Sequence, residues 1–571
     1  MRWPLLVVPV VLAPVLLAAP AGHAATVKAG QPILLRDHLA GFDALAKHVS
    51  PEQADTTIEP SIAVNPKNPL NAVLGFQIGR VDAGGDATNG YATTFDGGKT
   101  WKNGIIPGLT TGHGGTFDRA SDAVVAFGDH NQVYFSSLIF NDTTGGGLQS
   151  AIVNNTSLDG GRTWGPVDFV QNDPGGGLND KNWVVVDNGT EGGHHHGRVY
   201  VTWDRVAGVI VKYSDDQGKT WVPASPVYAP NGYAGQGISA YPVVKPNGDL
   251  FVAFMSQAAP PAITLGPGDE LGEAVSGLSK VSSATFVGAG TIPTGVPLPQ
   301  AVVASVRTYT GNSVRHQRAG SLLSADVDPV TGRIYVVWED SYFRTDAAND
   351  AVLAWSDNGF QWSNPVRVSP GKTNDNLDHY NPSVAVHKDG TVDVIWRQRQ
   401  ESASNLVDSY SRDVNTYLAR SNDHGLHFGT PLKVDLAPSD VRFGAFSRGG
   451  LFQGDYDQVA TSGGLTYVVR CESYAPSSRA AAPDVPSATT LHHQTTWVAV
   501  VGTATSAAKV SLPSTTPVTA PVAAAPTVGG GLAATGGRAG LAGLGLLLLA
   551  AVAGRRRFGH SGSRTRIQTS R

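Results

Sequence analysis

Two residue types are almost missing from this chain. Its 571 residues include one cysteine, Cys471, and two methionines. A single thiol excludes an intrachain disulfide framework, so stability has to come from a large apolar core, and the chain is long enough to bury one. Charge is sparse as well: 15% of residues are Asp, Glu, Lys or Arg, and the net charge is −4. Without a basic excess, nucleic acid is not expected as a partner. Long stretches with helical periodicity are absent. The glycine runs Gly145–Gly147 and Gly175–Gly177 do not open helices, which excludes a phosphate-cradling loop. In place of helices stand 68 glycines and 36 prolines that cut the chain into strand-length pieces.

Long apolar runs occur only at the two ends. Leu5 to Pro20 follows Met1 and Arg2, and Gly22 and Ala24 supply the small residues of a cleavage site, so residues 1–24 read as an export signal. The run is shorter than the roughly 20 residues a membrane-spanning helix needs. At the other end an Ala/Pro/Thr-rich linker over 506–531 leads into Leu532-Ala533-Ala534-Thr535-Gly536. An apolar run from Leu541 to Ala553 and then Arg555-Arg556-Arg557 complete the tail over 532–571. A short apolar run ahead of clustered arginines holds a chain end on the cytoplasmic side. This order resembles a Gram-positive cell-wall sorting signal in its Leu-Ala-x-Thr-Gly form. The resemblance implies a sortase cut between Thr535 and Gly536, attachment to peptidoglycan and a cell-surface location in a high-GC, actinobacterial host. Losing Arg2 and the seven arginines beyond residue 536 leaves the exported part strongly acidic.

Between the ends the sequence repeats itself, the first thing to establish in a chain of this kind. One unit is Ser/Thr-x-Asp-x-Gly-x-Thr-Trp. It appears as Thr94 to Trp101, Ser157 to Trp164 and Ser214 to Trp221, around Asp96, Asp159 and Asp216. Weaker copies centre on Asp357, with Gly359 and Trp362, and on Asp423, with Gly425 and Phe428. The carboxylate of such a unit accepts backbone N–H groups across a tight turn, the glycine takes a positive φ, and the aromatic tucks into the adjoining sheet. These are structural turns between strands. The pattern resembles the Asp box, or bacterial neuraminidase repeat, of sialidase-like propellers.

A second unit is a β-rich strand with a large residue near its end: Val199 to Trp203, Ile334 to Trp338 and Val392 to Trp396, with weaker copies at Phe76, Ser137, Phe254 and Arg470. A shorter apolar strand precedes most of them, and each period holds about four strands bounded by Gly, Pro, Asn and Asp, the arrangement of a propeller blade. The expected fold is therefore all-β, a six- or seven-bladed β-propeller over residues 58–505, with seven favoured. Residues 25–57 form an N-terminal segment whose Ile33 to Leu35 is a candidate ring-closing strand. The blade over 239–300 has lost its Asp unit, and Ser256 to Ser305 reads as a long loop over one face.

In such a blade the Asp unit joins the third and fourth strands, so a functional pocket belongs on the opposite face, where chains lead into first strands and leave second ones. Those segments carry Glu59, Asp118, Arg119, Asp122, Asp180, Lys181, Tyr241, His379, Tyr380, Asp455 and Tyr456, and also Arg80, Asp204, Arg205, Glu339, Asp340, Arg397, Arg399 and Glu472. Carboxylates there can serve as acid and base, and arginines can grip an anionic group. The same charges would equally cap strand ends along a wet channel. Glu59, Asp180, Asp455 and Tyr456 are the catalytic candidates, and Arg119, Arg205, Arg397 and Arg470 the substrate-binding ones. The sialidase resemblance implies three arginines on a sugar carboxylate, a Tyr nucleophile beside a Glu, and an Asp acid/base. It also implies an Arg-Ile-Pro opening to the first blade, where this chain has Ile58-Glu59-Pro60, and that departure counts against true sialidase chemistry. His194-His195-His196 invites a metal, but adjacent histidines rarely converge on one ion, so no metal and no cofactor is expected. The expected function is that of an exported, monomeric surface propeller acting on a glycan or polysaccharide as an exo-glycosidase-type hydrolase. The alternatives are a non-catalytic glycan- or protein-binding adhesin and a structural propeller without a ligand pocket.

Overall fold

The protein is described here as a computed structural model covering residues 26–33, 52–142, 148–174, 179–205, 208–222, 225–226, 237–257, 278–286, 300–305, 322–346, 348–400, 413–447, 450–475 and 490–502. Residues 1–24, 506–531 and 532–571, read from the sequence as an export signal, a linker and a sorting tail with Thr535 and Gly536, lie outside these residues.

Among the described residues the strands fall into antiparallel groups of four, three of them linked into one twelve-stranded sheet by the single pairings Thr56 with Gln494 and Asp86 with Ala120, beside three sheets of four, one of five and a two-stranded hairpin; each group of four is called a sheet below. The first holds β2 (Glu52–Val64), β3 (Ala72–Val81), β4 (Asp86–Thr94) and β5 (Lys102–Ile105). The second holds β6 (Arg119–Phe127), β7 (Val133–Asp142), β8 (Leu148–Ser157) and β9 (Val167–Asp173). The third holds β10 (Asn179–Val186), β11 (Val199–Arg205), β12 (Gly208–Ser214) and β13 (Ser225–Pro226). The fourth holds β14 (Gly237–Val244), β15 (Leu250–Gln257), β16 (Leu278–Phe286) and β17 (Gln300–Ser305). The fifth holds β18 (Ser324–Val327), β19 (Ile334–Asp340), β20 (Asp350–Ser356) and β21 (Val366–Arg367). The sixth holds β22 (Leu377–Val386), β23 (Val392–Gln400), β24 (Asp413–Ser421) and β25 (Leu432–Lys433).

The seventh sheet closes the circle. After a short edge strand β26 (Ser439–Asp440) and a hairpin of β27 (Ala445–Ser447) and β28 (Gly450–Phe452), the chain forms β29 (Gln458–Ser462), β30 (Leu465–Ser473) and β31 (Gln494–Gly502). Its fourth strand comes from the other end of the chain: β1 (Thr26–Ile33) pairs antiparallel with β31, from Thr26 opposite Gly502 to Ile33 opposite Thr496. The sequence reading put a ring-closing strand at Ile33 to Leu35; the strand lies upstream, and Leu34 and Leu35 fall outside the described residues. The inner strands β2, β6, β10, β14, β18, β22 and β29 touch one another in that order, and β29 touches β2. This is a closed β-propeller.

Each seam between neighbouring sheets has its own apolar cluster. Tyr241, Phe251, Val336 and Trp338 join the fourth and fifth sheets, and Val184, Trp203, Tyr134 and Val124 join the second and third. The second strands alternate so that their large residues fill these seams, and Phe76, Trp203, Phe254, Trp338 and Trp396 are fully buried. Arg470 occupies the corresponding place in β30, equally buried, with Nε donating to Asp435 Oδ1 at 2.6 Å and the guanidinium paired to Glu472.

The Asp-centred turns join third to fourth strands as their spacing requires. Asp96 Oδ1 accepts the N–H groups of Lys99 (2.9 Å) and Thr100 (3.0 Å), and Oδ2 accepts the Thr100 hydroxyl at 2.6 Å. Asp159 and Asp216 repeat this pattern, and at Asp423 the Nδ1 of His427 takes the place of the threonine hydroxyl at 2.7 Å. Burial raises the Asp96 pKa, but the hydrogen bonds together outweigh it and hold the carboxyl down at about 2.

Two readings are corrected. In the fifth sheet the turn is built on Asn358, not Asp357: Asn358 Oδ1 accepts from Phe360 and Gln361 N–H, each at 2.8 Å, while Asp357 faces solvent and pairs with Arg333 at 2.6 Å. The turn is one residue shorter there, which shifts the accepting side chain by one position. The segment Ser256 to Ser305, read as a loop, contains β16 and β17. Their serine- and alanine-rich sequences lack the strong apolar alternation that marks a strand.

Candidate active site

The inner strands share an irregularity. In β6, β10, β14 and β22 the register slips once and in β2 twice, and at one slip in each strand a residue other than glycine takes a positive φ: Glu59 (50°), Asp122 (46°), Lys181 (49°), Ser239 (63°) and Asn381 (50°). The left-handed region costs an L-residue roughly 1–2 kcal/mol, and bulges recur where a strand has to re-aim a side chain. Here the re-aimed side chains meet around the axis of the ring.

Lys181, from the third sheet, is the hub. Its Nζ lies 3.0 Å from Asp455 Oδ2, 3.4 Å from Glu59 Oε1 and 3.5 Å from Asp122 Oδ1, and 4.9 Å from the centre of the Tyr456 ring. One ammonium thus ties together the first, second, third and seventh sheets. Burial by itself would lower its pKa, but the carboxylates of Asp455, Glu59, Asp122 and Asp180 outweigh that and hold it well above the usual lysine value. Glu59 is engaged from all sides: it accepts from Gln77 Nε2 and, at 2.9 Å, from the Asp455 N–H. Gly454, at φ 106°, passes so near that a Cβ there would stand 3.0 Å from Glu59 Cγ.

Three carboxylates around one cation cannot all be neutralised by it, so one of them is driven toward the protonated form. Asp122 is the one. It is 1% exposed, neither of its oxygens has a hydrogen-bond partner, and burial pushes its pKa up to about 8 against the opposing pull of Lys181. Tyr456 is also buried, and burial followed by the charges of Glu59 and Asp122 pushes its hydroxyl well above the usual tyrosine value.

These groups line a cavity on the axis. Asp122, Lys181, Asp455 and Tyr456 line it together with Trp183, Tyr241, Leu322, Leu323 and Asn381. Trp183 packs against Tyr241 with ring centres 4.3 Å apart and meets Tyr456 edge-on at 5.6 Å. A buried carboxyl driven toward its protonated form, and a second carboxyl paired with an ammonium beside aromatic faces, are equipped to transfer a proton to a bound polar ligand.

The structure brings Glu59, Asp455 and Tyr456 together and sets Asp180 apart: Asp180 is exposed, and its Oδ1 accepts the Lys181 N–H at 3.0 Å. Glu59 itself stands behind Lys181, outside the cavity lining. The arginines expected to grip an anionic group are occupied elsewhere. Arg119 donates to Gly84 O at 2.6 Å and lies over Phe140. Arg397 makes a fully buried bidentate pair with Asp457, 2.6 Å from Nη2 to Oδ1, and Arg470 serves Asp435 and Glu472. The Arg205 side chain lies outside the described residues. Asp122 and Lys181 were visible only as two charges among many near the mouth, and Trp183 carried no signal beyond that of a core aromatic.

Fold and site together define a β-propeller with an acid-lined axial cavity. No family model matches the chain, and no curated protein does. Among solved structures, it is similar to an α-L-arabinanase of Penicillium chrysogenum complexed with arabinobiose (12% identity, 65% of this chain and 94% of that one, TM-score 0.41). It is also similar to an ulvan lyase of a polysaccharide lyase family (12%, 73% and 92%, TM-score 0.41) and to the leech intramolecular trans-sialidase (11%, 64% and 68%, TM-score 0.37). These likenesses are too distant to carry an activity to this chain.

Proposed function

We propose that this chain is an exported, wall-anchored propeller that hydrolyses a glycosidic bond in its axial cavity. Asp122 donates a proton to the leaving glycosidic oxygen, and Asp455 acts on the anomeric carbon directly or through a water. Two carboxyl groups in opposite protonation states are what such a cleavage needs. The observation that carries the reading is Asp122: a buried carboxyl without a hydrogen-bond partner, lining a cavity that it shares with Asp455 and the faces of Trp183, Tyr241 and Tyr456. Glu59 has a positioning role, since it accepts the Asp455 N–H and contacts Lys181. The tail that opens with Leu532 to Gly536 supports delivery to peptidoglycan by a sortase, with the cavity at the cell surface.

A second reading is a glycan-binding module without turnover. It is favoured by one feature, the Lys181 ammonium that already occupies the space between the carboxylates. Release assays on the purified chain with a panel of fluorogenic glycosides, a sialoside among them, separate the two. Turnover that falls at least about 100-fold in Asp455→Asn supports the hydrolase. Glycan-array binding without turnover supports the module, and neither turnover nor binding overturns both.

A further inference from the structure

We propose that Asp129, His130 and His196 form a site for a divalent transition-metal ion of the zinc, cobalt or nickel type, on the face of the ring opposite the axial cavity. Asp129 and His130 belong to the turn between β6 and β7, and His196 to the loop between β10 and β11, so the site spans two neighbouring sheets. One ligand atom from each of the three side chains lies within 4.8 Å of the others. His196 Nε2 stands 3.2 Å from Asp129 Oδ2, and His130 Nδ1 is against Asp129 Oδ1.

The orientation of His196 is the telling feature. Its Nδ1 faces the Gly189 carbonyl at 3.0 Å, an acceptor that fixes the direction of the ring. The other nitrogen, Nε2, is thereby aimed at Asp129 Oδ2, 3.2 Å away, where a proton or a metal ion can bridge the two. A backbone carbonyl that fixes the tautomer and turns the other nitrogen inward is also the usual outer support of a metal-binding histidine. Two imidazoles and a carboxylate suit a borderline metal and not calcium or magnesium, with a fourth position left for water.

The surrounding turns hold the three groups in place. The His130 N–H donates to Gln132 Oε1 at 2.9 Å, Asn65 Nδ2 to Asn131 Oδ1 at 2.8 Å, and Asn188 Nδ2 to Phe127 O at 2.9 Å, which ties the two turns to each other. The histidine run divides its labour accordingly. His194 has both ring nitrogens engaged, Nδ1 with Asp187 Oδ1 at 2.6 Å and Nε2 with Pro246 O at 2.8 Å, and so anchors the loop. Only His196 of these two turns toward Asp129. The run does not converge on an ion by itself; its last member meets ligands from the neighbouring sheet.

The test is titration of the purified, tag-free chain with cobalt(II) after chelator treatment, followed by d–d absorption, zinc competition and the thermal midpoint. One cobalt per chain is expected, displaced by zinc but not by calcium, with a higher midpoint in the loaded form because only the folded state holds the ligands together. His130→Gln and His196→Gln each weaken binding about tenfold or more, and His424→Gln leaves it unchanged. Absence of stoichiometric binding, or binding that survives the double substitution, overturns the site.

Discussion

Lys181 Nζ lies 3.0 Å from Asp455 Oδ2, a contact that joins the third sheet to the seventh across the axis of the ring. Sheets that are not neighbours are thereby tied through one buried ammonium, and the same ammonium sets the charge state of the cavity.

Removing that ammonium leaves Glu59, Asp122 and Asp455 facing one another without a counter-charge. Lys181→Met is expected to destabilise the protein by about 3–5 kcal/mol at pH 7. Chemical denaturation measures this, and a loss under about 1 kcal/mol would mean that the carboxylates are solvated.

Asp122 gives stability a pH dependence of definite sign. Its pKa is 3.8 unfolded and about 8 folded, so between those values the folded state binds the extra proton. The stability it contributes is complete below pH 3.8 and is lost as pH rises toward 8. Asp122→Asn cannot titrate, so relative to the parent it gains stability between pH 5 and pH 8. Denaturation curves for both proteins at those two values show the gain or its absence.

The two corrected positions in the fifth sheet make a matched pair. Asp96→Ala removes an acceptor used by two N–H groups and a hydroxyl, for an expected loss of about 1–3 kcal/mol. Asn358→Ala costs about 1 kcal/mol for the same reason. Asp357→Ala, which loses only an exposed ion pair with Arg333, stays within about 1 kcal/mol of the parent. Thermal midpoints rank the three, and a larger loss at Asp357 than at Asn358 would restore the sequence reading.

The proposed anchoring is separable from folding. Thr535→Ala is expected to move the protein from the wall fraction to the membrane or medium of a sortase-bearing host, with the properties of the ring unchanged. Fractionation followed by denaturation of the recovered protein reads both.

The fold was legible because its signals are local. An Asp five residues before an aromatic, with glycine between, is dictated by hydrogen bonds inside one turn, so Asp96, Asp159, Asp216 and Asp423 could be placed without a tertiary model. The fifth-sheet turn escaped because one deleted residue moved the acceptor to Asn358. Glu59, Asp455 and Tyr456 were named because they lead into inner strands. The remainder of the site depends on bulges, and a lysine or aspartate at φ near +50° leaves no mark in the sequence where glycine or asparagine would have. Arg397 and Arg470 are held for a tertiary reason: their partners Asp457, Asp435 and Glu472 are identified only once the sheets stand side by side.

The central claim is that Asp122 is the proton donor, and the most direct measurement is the leaving-group dependence of Asp122→Asn. Turnover of a glycoside whose leaving group needs a proton is expected to fall about 100-fold or more, while that of a dinitrophenyl glycoside, which departs unaided, falls far less. Equal losses on the two substrates, or no loss on either, would contradict the assignment.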